Sequence, residues 1–200
     1  MQTAYQVQTV EERSSWEQTD WDTGWVETDQ SAHVGYEGPP LNSGKLYRMR
    51  VRVKDNEGTI SDWYDRSYWV TGKLSPKEWS GHWIAASSEQ EEITMLRRSF
   101  ELKGAISSAR LFVTAQGLYE VEFNGIRVGR DLFTPGWTSY RHRLQTQTYE
   151  VTDMVRPGEN AIGVMLANGW FKGDLGWNNQ RERFGDRRAL LFELELHYAN

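Results

Sequence analysis

The segment Asn168-Gly169-Trp170-Phe171-Lys172-Gly173-Asp174-Leu175-Gly176-Trp177-Asn178-Asn179-Gln180-Arg181 sets indole rings, amides, a carboxylate and a guanidinium between two apolar runs. Those residue types suit a saccharide. A pyranose offers an apolar face of C–H groups to an indole and an equatorial belt of hydroxyls to Asn, Asp and Arg. Stacking fixes the sugar ring while the polar groups read it. The candidate binding residues are Asn168, Trp170, Asp174, Trp177, Asn178 and Arg181, joined by Trp137 from a second aromatic turn, Pro135-Gly136-Trp137-Thr138-Ser139-Tyr140. Tryptophan also fills cores, so the sequence leaves open whether each ring meets a ligand or pins a loop.

The remaining chemical inventory is mostly negative. Asp131, Asp174, Glu182 and Asp186 are the carboxylates beside aromatic loops, but their spacing defines no hydrolytic pair, and no catalytic residue is assigned. His33, His82, His142 and His197 lie far apart and none has metal-ligand spacing, so no metal is expected. No phosphate-binding glycine loop or nucleophile elbow occurs, and no cofactor is expected. The absence of cysteine removes disulfides and thiolate catalysis. A net charge of -5 argues against nucleic acid, whose binders draw most of their affinity from basic surface. No run approaches the ~20 apolar residues of a membrane span. Met1 to Gln6 has neither a charged nor an apolar leader region, so no export signal is read and the compartment stays undetermined.

The elements that must position these residues are strands. Two hundred residues allow one large domain or two small ones, and ten tryptophans, nine tyrosines and seven phenylalanines exclude a chain that fails to collapse. From Tyr47 to Lys54 apolar and basic residues alternate, which predicts a strand with Tyr47, Met49, Val51 and Val53 on a core and Arg48, Arg50, Arg52 and Lys54 on a wet face. Ser67 to Thr71 supplies a last strand for this part. Ser75-Pro76-Lys77-Glu78 then reads as a capped helical turn near a domain boundary at residues 72–80.

Beyond the boundary, strands are expected at Leu96 to Leu102, Ala109 to Thr114, Tyr119 to Phe123, Gln147 to Val151, Ala161 to Leu166 and Ala189 to His197. Asn124-Gly125 is a type I′ hairpin signal, because both of its central residues need positive φ. Asp153 to Val155 fits one helical turn, and Glu89-Gln90-Glu91-Glu92 a solvated acidic loop. About eight strands without a long helical period favour a jelly-roll sandwich. The fold class is all-β: a small sandwich over residues 1–74, then a jelly roll over residues 80–200.

In order along the chain, Ala4-Tyr5-Gln6-Val7, Trp21-Asp22-Thr23-Gly24, Asp29-Gln30-Ser31, Gly38-Pro39-Pro40-Leu41 and Arg50-Val51-Arg52-Val53-Lys54-Asp55 are followed by a second series of matching text. That series includes Gly117-Leu118-Tyr119-Glu120, Asn124-Gly125, Pro135-Gly136-Trp137-Thr138, Val151-Thr152-Asp153, Asn168-Gly169-Trp170 and Gly185-Asp186-Arg187. Together they resemble the N-terminal region of bacterial α-L-rhamnosidases, family 78 of the glycoside hydrolases. The stretch from Val151 to Val164 is also similar to the sugar-binding jelly rolls of β-galactosidase-like enzymes.

The resemblance implies a fibronectin-III-like module lacking its N-terminal strands, then a galactose-binding-like jelly roll, and a parent enzyme that releases terminal α-L-rhamnosyl groups with inversion. The catalytic carboxylates would lie on a helical barrel of the same polypeptide that these 200 residues do not contain, so the fragment is expected to be inactive alone. The expected partners are that barrel and a carbohydrate ending in L-rhamnose. Some related β modules bind rhamnose through calcium. At the corresponding place this chain reads Ala115-Gln116-Gly117-Leu118, without a carboxylate for a hard cation. Three readings stay open: support for the barrel with sugar contact, a stand-alone carbohydrate-binding module, and a purely structural buttress. A receptor-like pair of fibronectin modules, suggested by Ser61-Asp62-Trp63, is a fourth.

Overall fold

A computed structural model describes residues 1–12, 14–85, 93–178 and 180–199; the acidic loop read at Glu89 to Glu92 lies outside them. The chain divides into two compact units, Met1–Leu74 and Ser75–Asn200.

In the first unit β1 (Gln2–Glu11), β2 (Trp21–Asp22), β3 (Val26–Glu27), β4 (Leu46–Asp55) and β5 (Tyr64–Val70) form one antiparallel sheet. β1 and β4 pair along their length, while β2 and β3 share the other edge of β1 and β5 the other edge of β4. The expected alternation is realised: Val51 pairs with Val7 and Met49 with Thr9 on one face. There Tyr47 is buried and stacks on Trp69, with centroids 5.5 Å apart, and its hydroxyl accepts from the Asn42 amide at 2.9 Å. Tyr36, from the loop between β3 and β4, meets Trp21 edge-on at 4.7 Å. Among the described residues this unit has no second sheet, and Met49, Val51 and Val53 stay partly exposed.

The opposite face corrects the wet-stripe reading. Trp16 lies over Arg48 and Arg50, Trp63 over Arg50 and Arg52, and Trp25 over Arg52 and Lys54, at 4.4–5.2 Å from cation to ring centroid. A planar guanidinium is weakly hydrated and stacks well on an indole, so rings from three loops clad the cations instead of water. Beside them Arg50 Nε donates to Gln8 Oε1 at 2.7 Å and Arg52 Nε to Gln6 Oε1 at 2.9 Å. Both glutamine amides in turn donate to the Asp22 carboxylate, at 2.7 and 2.6 Å.

The second unit opens on the expected turn, a 3-10 helix over Pro76–Glu78 in which Ser75 Oγ accepts from the Lys77 amide at 3.3 Å. Seven strands follow: β6 (Ile93–Leu102), β7 (Ile106–Gln116), β8 (Leu118–Phe123), β9 (Ile126–Arg127), β10 (Gln147–Glu150), β11 (Gly158–Ala167) and, after the short helix α1 (Gly169–Lys172), β12 (Ala189–Tyr198). They make a β-sandwich of a three-stranded sheet, β10-β7-β12, and a four-stranded sheet, β6-β11-β8-β9.

Leu111 and Val113 of β7, Val121 and Phe123 of β8, Leu166 of β11 and Leu190 of β12 meet in one core. Burial of each such side chain is worth about 1.5–3 kcal/mol relative to exposure. Asn124 (φ 51) and Gly125 (φ 80) turn β8 into β9 as their types require. Asn124 also donates to the buried Asn160 at 3.0 Å, and Asn160 donates to the Arg156 carbonyl at 2.6 Å, tying that hairpin to the turn before β11. The helical turn expected at Asp153 to Val155 lies one residue earlier, at Thr152–Met154.

Candidate functional site

Two loops of the second unit carry the residues singled out by the sequence. The first runs from β9 to β10. Thr134 clamps it to the start of β8: the Tyr119 amide donates to the Thr134 carbonyl at 2.8 Å, and Thr134 Oγ1 donates back to the Tyr119 carbonyl at 2.5 Å. The Gln147 side-chain amide donates to the Pro135 carbonyl at 3.1 Å while its oxygen accepts from the Tyr119 hydroxyl at 2.7 Å. Burial drives the Tyr119 phenol far above its ordinary range, so it stays a donor. Tyr149 is pushed up to about 12, first by burial and further by its hydrogen bond to Asp131. Within the loop, Thr138 Oγ1 donates to the Arg143 carbonyl at 2.6 Å and closes the aromatic turn.

The second loop follows β11. Gly169 begins α1 at φ +53, and a Cβ there would stand 2.4 Å from Leu118, so only glycine fits this entry. α1 is a single turn, too short to leave a helical period in the sequence, and it buries Phe171. Leu175 and Gln180 then bridge as a small antiparallel hairpin, with Trp177 at its tip. Tyr140 couples the loops, packing edge-on to Phe171 at 5.4 Å and tilted against Phe184 at 5.0 Å; burial raises its hydroxyl above the usual range.

Between the loops lies a cleft of about 650 Å³, within the range of small-ligand sites. Trp137, Thr138, Ser139, Arg141 and His142 form one wall; Leu175, Trp177, Asn178, Gln180, Arg183 and Phe184 form the other. Three of the seven candidates therefore line it: Trp137, Trp177 and Asn178. Trp137 is 58% exposed and Trp177 is fully exposed. Trp170 stands behind Trp137, stacked at 5.7 Å and 11°, and also packs against Phe133, tilted, at 5.9 Å. Asp174 and Arg181 pair at 3.6 Å, each about half exposed, outside the lining. Asn168 precedes α1, and its side-chain oxygen is buried without a hydrogen-bond partner.

Among the described residues, no three His, Cys, Asp or Glu side chains are grouped to hold a metal ion. None of Asp131, Asp174, Glu182 and Asp186 lines the cleft. Sequence reasoning missed Arg141, His142 and Arg183. The signal was present for the first two, because Arg141-His142-Arg143 follows the aromatic turn directly.

Two family models match this chain: the Rha78A-like N-terminal immunoglobulin domain over residues 1–75, and the α-L-rhamnosidase N-terminal domain over residues 104–200. The chain is 33% identical over 187 residues to an α-L-rhamnosidase of Formosa agariphila, an alignment covering 88% of this chain and 20% of that protein. A crystal structure of an α-L-rhamnosidase from Aspergillus terreus superposes with a TM-score of 0.85 at 32% identity, over 99% of this chain and 23% of that one. The Streptomyces avermitilis α-L-rhamnosidase complexed with L-rhamnose shares the fold, with a TM-score of 0.84 at 24% identity over 99% of this chain and 36% of that one. The chain spans about a fifth of the length of the curated relatives it matches.

Proposed function

Given that this chain belongs to the α-L-rhamnosidase family, of which it carries the N-terminal region, we propose that it is a non-catalytic β module whose second unit contacts the rhamnoside. One observation carries this reading. Trp137 and Trp177 stand exposed on the two loops that line one cleft, which also offers Asn178, Gln180, Thr138 and Ser139 as hydroxyl readers. A ring left fully in water contributes little to its own fold, whereas it provides a ready stacking face for the C–H side of a sugar. Hydrolysis of terminal α-L-rhamnosyl groups belongs, in this proposal, to the whole protein, whose acid and base stand on a helical barrel outside these 200 residues.

Titration calorimetry of the chain with L-rhamnose tests the contact. Weak binding that disappears in Trp177→Ala is expected, with no turnover of an aryl α-L-rhamnoside. Turnover by the chain itself would overturn the non-catalytic assignment.

A second reading, structural support of the barrel, draws on Leu132 at 67% and Phe133 at 64% exposure beside Trp137. These make an apolar surface suited to packing against protein. Absence of any sugar binding, with the fold intact, favours that role over saccharide contact.

A further inference from the structure

The cleft has a charge character that stacking on a neutral sugar does not require. Arg141, His142 and Arg183 line it, and among the described residues that form its walls there is no carboxylate. This departs from the chain as a whole, which carries a net charge of -5. Arg183 is positioned, its Nη1 donating to Gln180 Oε1 at 3.0 Å. Asp174, beside the lining residue Leu175, is already paired with Arg181, and Glu182 and Asp186, on either side of Arg183 in the sequence, do not line the cleft. At physiological salt the screening length is about 8 Å, so a ligand in the cleft responds to the cations on its walls more than to the distant net charge. Guanidinium groups present a planar fork of donors that matches a carboxylate or a sulfate ester, and exposed indoles beside them hold a sugar ring.

From this juxtaposition of two exposed tryptophans with Arg141 and Arg183, we infer that the cleft takes an anionic saccharide: a rhamnosyl unit attached to a sugar bearing a carboxylate or a sulfate ester. The inference rests on the carbohydrate reading above and deepens it. The indoles hold a pyranose face, and the two arginines select a neighbour bearing negative charge.

The test compares three probes of one linkage by calorimetry with the whole 200-residue chain: rhamnosyl-glucuronic acid, rhamnosyl-glucose, and rhamnosyl-glucose carrying a sulfate ester. At low salt the glucuronate disaccharide is expected to bind about fivefold more tightly than the neutral one, the scale of two exposed ion pairs. That preference should vanish in 1 M NaCl and in the double variant Arg141→Gln with Arg183→Gln. Both arginines are exposed, so the double variant keeps the fold, checked by near-UV circular dichroism.

Sulfate binding as well as glucuronate supports recognition of charge alone; preference for either identifies the anion, and both results support the inference. Equal, salt-independent binding of neutral and anionic probes, still lost in Trp177→Ala, overturns the anionic selectivity and leaves the carbohydrate reading standing. No binding of any probe overturns both.

Discussion

The indoles of Trp137 and Trp170 lie 5.7 Å apart and 11° from parallel, with Trp137 facing the cleft and Trp170 backing it. The second ring therefore sets the plane of the first. Trp170→Ala removes a partly buried ring packed against Trp137 and Phe133, at an expected cost of about 2–3 kcal/mol together with loss of sugar binding. Trp177→Ala should leave stability within about 0.5 kcal/mol, because its ring is fully exposed, while sugar binding is still lost. Urea denaturation alongside calorimetry separates the two.

Gly117 joins β7 to β8 at φ +131, and a Cβ there would stand 2.4 Å from the Ala167 carbonyl oxygen. The clashing atom is backbone, which cannot move aside as a flexible side chain can. Gly117→Ala is expected to cost more than about 2 kcal/mol, combining backbone strain with displacement of β11. Gly58→Ala is the companion measurement: at φ +82 with open space around it, it should cost only about 1 kcal/mol. Equal shifts of the urea midpoint, each taken against the unsubstituted chain for the unit that carries the residue, would contradict this difference.

Two guanidiniums lie over Trp63, that of Arg50 at 4.4 Å and that of Arg52 at 4.5 Å from the ring centroid. Its replacement by Ala should destabilise the first unit by about 1–3 kcal/mol, since partly desolvated cation–π contacts are worth about 0.5–2 kcal/mol each. Arg50→Lys should also weaken it, because an ammonium loses both the planar stack and the Nε donor to Gln8. Differential scanning calorimetry reads both.

Burial pushes the Asp22 carboxyl upward, but donation from Gln6, Gln8 and the Gly24 amide, with Arg52 nearby, outweighs it and holds the group below its usual range. The stabilisation it gives is fully present above the unfolded carboxylate value near ~3.9 and is lost as pH falls through the lowered folded value. Asp22→Asn should therefore lower the melting temperature at neutral pH and flatten its decline in acid. An unchanged acid limb would show that Asp22 is not linked to folding.

How much of this was legible depended on the range of the contacts involved. The strand from Tyr47 to Lys54 and the Asn124-Gly125 turn follow from local chemistry, and both are found where the sequence places them, although the basic face of that strand is covered by indoles. What lies over Arg50 could not be read, because Trp16 and Trp63 reach it from connections 34 and 13 residues away along the chain. The same limit applied at the cleft. Trp170 and Trp177 sit in one stretch of similar text, yet one ring is packed and the other bare, a difference fixed by the partner loop at Trp137 and not by spacing. α1 escaped notice because four residues span barely one turn.

The Trp and Arg ladder of the first unit has a mechanical meaning. Trp16, Trp25 and Trp63 come from three separate connections, and each is gripped by two neighbouring cations of the single strand β4. The strand works as a zipper spine: opening one connection frees a cation that the adjacent ring also needs, so loosening at one rung weakens the next. Three peripheral excursions of the chain thereby unfasten together instead of fraying one by one.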